Sequence, residues 1–193
     1  MYRAITLGVL RQDISVSAKT SVQAFAETAD LVIEADGPGG NRILLNGEDV
    51  TAEIRTPIVT RNVSTISSYD SVRAVLVREQ RKLASKGGIV LEGRDIGTIV
   101  LPQAELKIYM IAAVSERARR RKKDLLKAGI DIDDAQLEKE IEERDRKDST
   151  REVSPLKMAP DAIKLDTSDL TIDEQVDFIV ERAKRIIGSG ESV

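Results

Sequence analysis

Three charged clusters carry the chemistry this sequence could perform. Gly93-Arg94-Asp95 follows a short apolar run. The stretch from Ser115 to Lys123 holds Arg117, Arg119, Arg120, Arg121, Lys122 and Lys123, six cations on nine residues. A third cluster runs Arg144-Asp145-Arg146-Lys147-Asp148-Ser149-Thr150-Arg151. An Arg beside an Asp at the end of a strand can bind an anion and a polar group together, or it can be a local ion pair closing a turn. Six cations repel one another unless an anion lies near, although runs of charge are commonly solvated faces. Arg144, Asp148 and Arg151 are four and three residues apart, which puts them on one face of a helix end. That spacing suits a salt-bridge ladder as well as a ligand site.

Composition narrows the chemistry. The chain has no His and no Cys, which excludes an imidazole acid–base catalyst, a His-based triad, disulfides and a Cys/His zinc site. Carboxylates, Lys, Arg, hydroxyls or a bound metal must do whatever is done. The formal net charge of −3 argues against bulk attraction to nucleic acid or to an anionic membrane. No apolar run is long enough to span a membrane and the first residues lack a signal-peptide pattern, so the cytosol is the expected compartment. Many arginines without His or Cys suit phosphoryl transfer, where positioning and charge neutralisation matter more than covalent catalysis.

The elements that would position these clusters follow from apolar periodicity. Helices are expected near residues 1–12, 22–29, 70–86, 115–128 and 134–146. Strands are expected at Leu31–Ala35 and Arg42–Leu45 around an Asp36-Gly37-Pro38-Gly39-Gly40 hairpin turn, and at Gly88–Glu92, Leu106–Ala113 and Ala162–Asp166. Ser115 is the expected N-cap of the basic helix. Thr171 with Glu174 forms a capping box for a last helix, whose expected buried stripe is Ile172, Val176, Ile179, Val180, Ala183, Ile186 and Ile187. Strands alternating with helices from residue 70 onward indicate an α/β domain with a parallel sheet, into which the hairpin is an antiparallel insertion.

The runs Asn46-Gly47-Glu48-Asp49-Val50-Thr51-Ala52-Glu53-Ile54-Arg55-Thr56, Leu91-Glu92-Gly93-Arg94-Asp95-Ile96-Gly97-Thr98 and Glu143 to Arg151 resemble bacterial cytidylate kinases. The resemblance covers nearly the whole chain. It implies a nucleoside monophosphate kinase fold, a parallel sheet with helices on both faces, in a single domain over residues 1–193. It further implies a CMP-binding insertion at 30–62 and a lid at 115–151. Substrates would be CMP or dCMP and ATP with Mg²⁺, with no nucleic acid, no membrane and a monomeric state. By position, Tyr2 and Arg3 match a stretch that grips the substrate phosphate, and Arg94 and Arg151 match phosphate ligands. Arg144 and Asp148 match residues at the sugar and phosphate, and Ser64, Arg73 and Asp95 match residues that read cytosine. Arg117, Arg120 and Arg121 match the lid residues nearest the donor phosphates. A carboxylate suits the amino group of cytosine and a guanidinium suits its two acceptors.

The family's opening strand, Gly-rich loop with Lys, and helix have no counterpart in this sequence. The residues after Asp36 lack the Gly-Lys-Ser/Thr ending and lead into a strand pattern. The expectation is a chain shortened at its N-terminus, whether by a misplaced start, fragmentation or genuine loss, and inactive in this form. Two rivals from other classes stand beside it. One is a nucleotide-binding module without chemistry. The other is a nucleic-acid binder working through the basic helix.

Overall fold

The computed structural model describes residues 1–37, 40–127 and 129–189, so Pro38 and Gly39 of the expected hairpin turn lie outside the described residues. The chain divides into two compact units, Met1–Val90 and Leu91–Val193.

The first unit is built on helices α1 (Tyr2–Arg11), α2 (Lys19–Thr28), α3 (Pro57–Ser67) and α4 (Asp70–Ala84), with strands β1 (Leu31–Ala35), β2 (Asn41–Leu45) and β3 (Glu48–Asp49). Its core is aliphatic, as the near absence of aromatics requires: Ile5, Val9, Val22, Val50, Val59, Ile66 and Val72 are almost wholly buried. Apolar residues at helical spacing on α1, α3 and α4 face this one core, and most of the helices' stability comes from that burial. Pro57 opens α3, where its missing N–H costs nothing and its φ is already helical. On α4, Val72, Val75 and Leu76 are buried, while Leu83 is 38% exposed.

β1, β2 and β3 form an antiparallel sheet of their own, with Leu31 opposite Leu45 and Ile33 opposite Ile43. The expected insertion into a parallel sheet is therefore a separate sheet. The short β3 was not foreseen. Asn46 and Gly47, at φ +51 and +81, make the tight turn that pairs Leu45 with Glu48. A two-residue Asn-Gly turn is the hairpin signal that marks it in sequence.

The second unit contains β4 (Ile108–Ile111), α5 (Val114–Lys127), α6 (Asp134–Thr150), β5 (Ile163–Asp166) and α7 (Ile172–Ser189). β4 and β5 pair in parallel, Ile108 opposite Ile163 and Ile111 opposite Asp166. This makes the fold α/β with a small parallel sheet. The expected strand at Gly88–Glu92 does not form. Gly87 and Gly88 turn the backbone at φ +69 and +62, and Val90 is 90% exposed. An apolar run becomes a parallel strand only where neighbours pair with it and cover its faces, and no such pairing exists among the described residues.

Helix ends in this unit follow side-chain chemistry. Asp133 accepts from the Gln136 N–H at the start of α6. The capping box of α7 is formed: Thr171 N–H donates to Glu174 at 2.8 Å and Glu174 N–H donates to the Thr171 hydroxyl at 3.3 Å. α5 starts one residue earlier than expected, so Ser115 lies inside its first turn and does not cap it. The apolar stripe of α7 is present, but Ile172, Val176, Val180 and Ile187 are exposed and the remaining members only partly buried. Periodicity identifies an apolar face; burying it takes a partner surface. Among the described residues no helix is long and apolar enough to cross a membrane.

Gly8 on α1 faces the ring of Phe25 on α2, and a Cβ there would lie 2.2 Å from Phe25 Cζ. Gly8→Ala is therefore expected to destabilise the first unit by about 1–3 kcal/mol in denaturant unfolding, as overpacked cores do. The double variant Gly8→Ala/Phe25→Leu should recover part of that loss. Equal stability of parent and Gly8→Ala would show that the helices do not pack this closely.

Candidate functional site

The second unit gathers most of the candidate residues. Arg94 and Asp95 stand on the turn that leads into one wide helical turn, Ile96–Val100, whose backbone N–H groups at Ile99 and Val100 bond to the Asp95 carbonyl. Wide turns of this kind are frequent at functional sites. A Cβ at Gly93 would lie 2.9 Å from the Ile96 side chain, which would have to shift to admit it. α6 runs on to Thr150, four residues past its expected end, and carries Arg144 and Asp148 with Arg151 at its C-cap.

Asp148 is the centre of the cluster. Its side chain is only 6% exposed and Arg94 Nε, Arg144 Nε and Arg151 Nη1 lie 3.5, 3.8 and 3.9 Å from its carboxylate oxygens. Arg151 also lies 3.8 Å from buried Asp95 and donates from Nε to the Ser154 carbonyl at 2.5 Å. These are ion pairs longer than hydrogen bonds. Asp148 Oδ2 and Arg144 Nε are buried without a hydrogen bond among the described residues. Burial and the neighbouring charge of Arg94 hold the Arg144 guanidinium below its ordinary pKa, with Arg121 adding to the same field. A further anion would relieve that field. The arrangement is thus suited to a phosphate, taken by guanidiniums that are already gathered and oriented.

The basic helix α5 supplies its own anions. Glu116 accepts from Arg119 at 2.7 Å and from Arg120 at 2.6 Å, and Lys122 pairs with Asp134 of α6 at 2.9 Å. Protein carboxylates thus offset part of the repulsion expected of the six cations, so charge density alone does not demand a ligand there. Arg117 reaches the cluster through Asp145 at 2.5 Å. Arg120 is held instead by Thr167, at the end of β5, and by Glu116. Asp145 was missed in the sequence. It bonds both Arg94, at 3.2 Å, and Arg117, and its position three residues before Asp148 puts the two acids on one helical face.

The candidate residues of the first unit form a separate group. Arg73 is buried on α4, donates to the Ser67 carbonyl at 3.3 Å and lies 5.6 Å from the centre of the Tyr2 ring. Arg3 on α1 donates to the Ile54 carbonyl at 2.9 Å and to Thr60 at 3.0 Å. Ser64 lies half-buried on α3.

Two outcomes follow for the second unit. Asp148→Asn removes the carboxylate that three guanidiniums share; the expected loss is about 2–4 kcal/mol, on the low side for a broken buried pair because Arg94 and Arg144 are partly exposed. Chemical denaturation measures it, and a neutral effect would mean the pairs are too loose to matter. Glu116 has its pKa lowered from 4.5 to about 2, chiefly by the hydrogen bonds from Arg119 and Arg120. A depressed carboxylate stabilises the fold above its unfolded value and loses that contribution as pH falls through the folded one. Its contribution should therefore fade between about 4.5 and about 2. Carboxyl carbon NMR of Glu116 should show a midpoint well below the usual carboxylate range, and an ordinary midpoint would refute the pairing.

Comparison with known proteins identifies the family. Residues 1–185 match the family model described as cytidylate kinase. A cytidylate kinase of Lactococcus lactis subsp. cremoris (strain MG1363) is 49% identical over 187 residues, covering 97% of this chain and 84% of that protein. One from Desulforamulus reducens is 48% identical, covering 93% and 80%, and one from Limosilactobacillus reuteri (strain DSM 20016) is 48% identical, covering 96% and 81%. With a family model matched over nearly its whole length and relatives at almost half identity, this chain belongs to the cytidylate kinase family.

Proposed function

We propose that the chain carries the nucleotide site of an enzyme that transfers the γ-phosphoryl group of ATP to CMP or dCMP. A phosphate oxygen of the monophosphate attacks the γ-phosphorus, the bond to the bridging oxygen breaks, and ADP leaves with that electron pair. Charge spreads over the three equatorial oxygens in flight, and guanidiniums that need no reorganisation stabilise it. The observation that supports this reading best is the convergence of Arg94, Arg144 and Arg151 on buried Asp148, at positions of the family's motifs.

The proposed roles follow the motif positions. In the second unit, Arg94 and Arg151 are assigned to the acceptor phosphate, Arg144 and Asp148 to the sugar and phosphate, and Asp95 to the base. In the first unit, Arg3 with Tyr2 is assigned to the substrate phosphate, and Ser64 and Arg73 to the base. Arg117, Arg120 and Arg121 face the donor phosphates, for which Arg120 must exchange its bonds to Glu116 and Thr167. No group of acidic side chains among the described residues is arranged to hold a metal ion. As the resemblance implies, Mg²⁺ would come with the donor nucleotide and would neutralise charge on its phosphates. The sequence contains no Gly-Lys-Ser/Thr loop for donor phosphates. For that reason we assign the 193-residue chain by itself monophosphate binding without turnover.

Calorimetry with CMP and UMP, and a coupled assay of ADP release, test this together. The expected result is preferential CMP binding with no ATP-dependent turnover. Asp95→Asn should shrink the preference for CMP over UMP by about 1–3 kcal/mol, the scale of one good polar contact to a base. Robust turnover requiring both MgATP and CMP would overturn the inactive assignment. Equal affinity for CMP and UMP in the parent chain would overturn the base assignment.

A further inference from the structure

Two acids three residues apart on α6 are held very differently. Asp148 is buried among three guanidiniums, whereas the Asp145 side chain is 27% exposed. Asp145 gives one oxygen to Arg94 Nη1 at 3.2 Å and the other to Arg117 Nη1 at 2.5 Å. Those guanidiniums come from different elements, the turn after Gly93 and the helix α5. They meet on a single carboxylate, with one oxygen for each, as they would meet on two oxygens of one phosphoryl group.

We propose that Asp145 is a built-in substitute anion, which holds Arg94 and Arg117 in place for a phosphoryl group and yields both when that group arrives. A dianion cannot simply join the pair, because Asp145 would confront it with like charge at contact distance. One of the two must leave, and Asp145 is free to. Among the described residues the two guanidiniums are the only side chains bonded to its carboxylate. It also borders an open cavity of about 830 Å³, lined by Lys139 and Arg146 as well as by Glu140, Glu142 and Glu143, so a released carboxylate has a way out toward water. Asp148 has no such exit and stays as the permanent counter-charge. Asp145 is therefore a positioning residue: it removes the mutual repulsion of Arg94 and Arg117 while the site is empty, and it weakens anion binding by competing for the same donors.

This inference rests on the proposed function only for the identity of the anion, so the probe is inorganic pyrophosphate, which has no base. Calorimetry at low ionic strength compares the parent chain, Asp145→Asn and Arg117→Gln, with circular dichroism confirming helix content. Asp145→Asn is expected to bind pyrophosphate about tenfold more tightly, since two partly exposed charge pairs no longer have to be broken. Arg117→Gln should bind more weakly than the parent. Unchanged or weaker binding by a folded Asp145→Asn would overturn the proposal. A second measurement needs no variant: in NMR spectra of the parent's arginine side chains, pyrophosphate should shift Arg94 and Arg117 together. A shift of only one of them would also overturn it. If pyrophosphate behaves as expected but CMP is not preferred, the nucleotide assignment fails and the role of Asp145 stands.

Discussion

Like charges must be held together for this site to exist, and one buried carboxylate does most of that work. Arg94, Arg144 and Arg151 stand within 4 Å of Asp148 oxygens. Bare guanidiniums this close in a poorly solvated setting would separate, because their repulsion grows as water is removed. Asp148 offsets that repulsion from inside the cluster. Such an arrangement adds little to stability, since desolvating the charges costs about as much as pairing them returns. What it supplies is position. The arginines are oriented before any ligand arrives, at the expense of hydrogen bonds that the long ion pairs do not make.

The same logic explains why α5 and α6 are matched. Among the described residues, cations of the basic helix find carboxylates: Glu116 for Arg119 and Arg120, Asp145 for Arg117, Asp134 for Lys122. Buried Ala118, Leu125 and Leu137 form the small apolar seam between the two helices. Partly buried Ile130, Ile132 and Ile141 pack against that seam, so apolar contact and charge pairing together hold the helices. An element held in this way can be rearranged by a ligand that competes for the same charges.

The first unit is organised by the opposite principle. Its helices and three-stranded sheet share an aliphatic core that is almost fully closed to water. Arg73 is carried into that unit's interior by α4, where the face of Tyr2 and the Ser67 carbonyl receive it. A buried guanidinium is costly unless it is partnered. A dense core around it keeps the side chain in one orientation.

Much of this was legible in the residues. Helical periodicity located the helices, the Thr171–Glu174 pair located a cap, and the four-and-three spacing of Arg144, Asp148 and Arg151 put them on one face. These are local properties, decided by backbone geometry within a few residues. The motif runs carried the family. Other features depended on partners distant in sequence. Gly88–Glu92 has a strand's composition, but a strand exists only where another pairs with it. The stripe of α7 is apolar in sequence, yet burial depends on the surface opposite. Asp145 looked like one more charge in a charged run. Its pairing with Arg94, 51 residues away, and with Arg117, 28 residues away, exists only in the folded unit. Sequence determines which groups are available and which face of an element they occupy; which charges end up sharing an anion is a matter of three-dimensional distance, and the tertiary structure alone decides it.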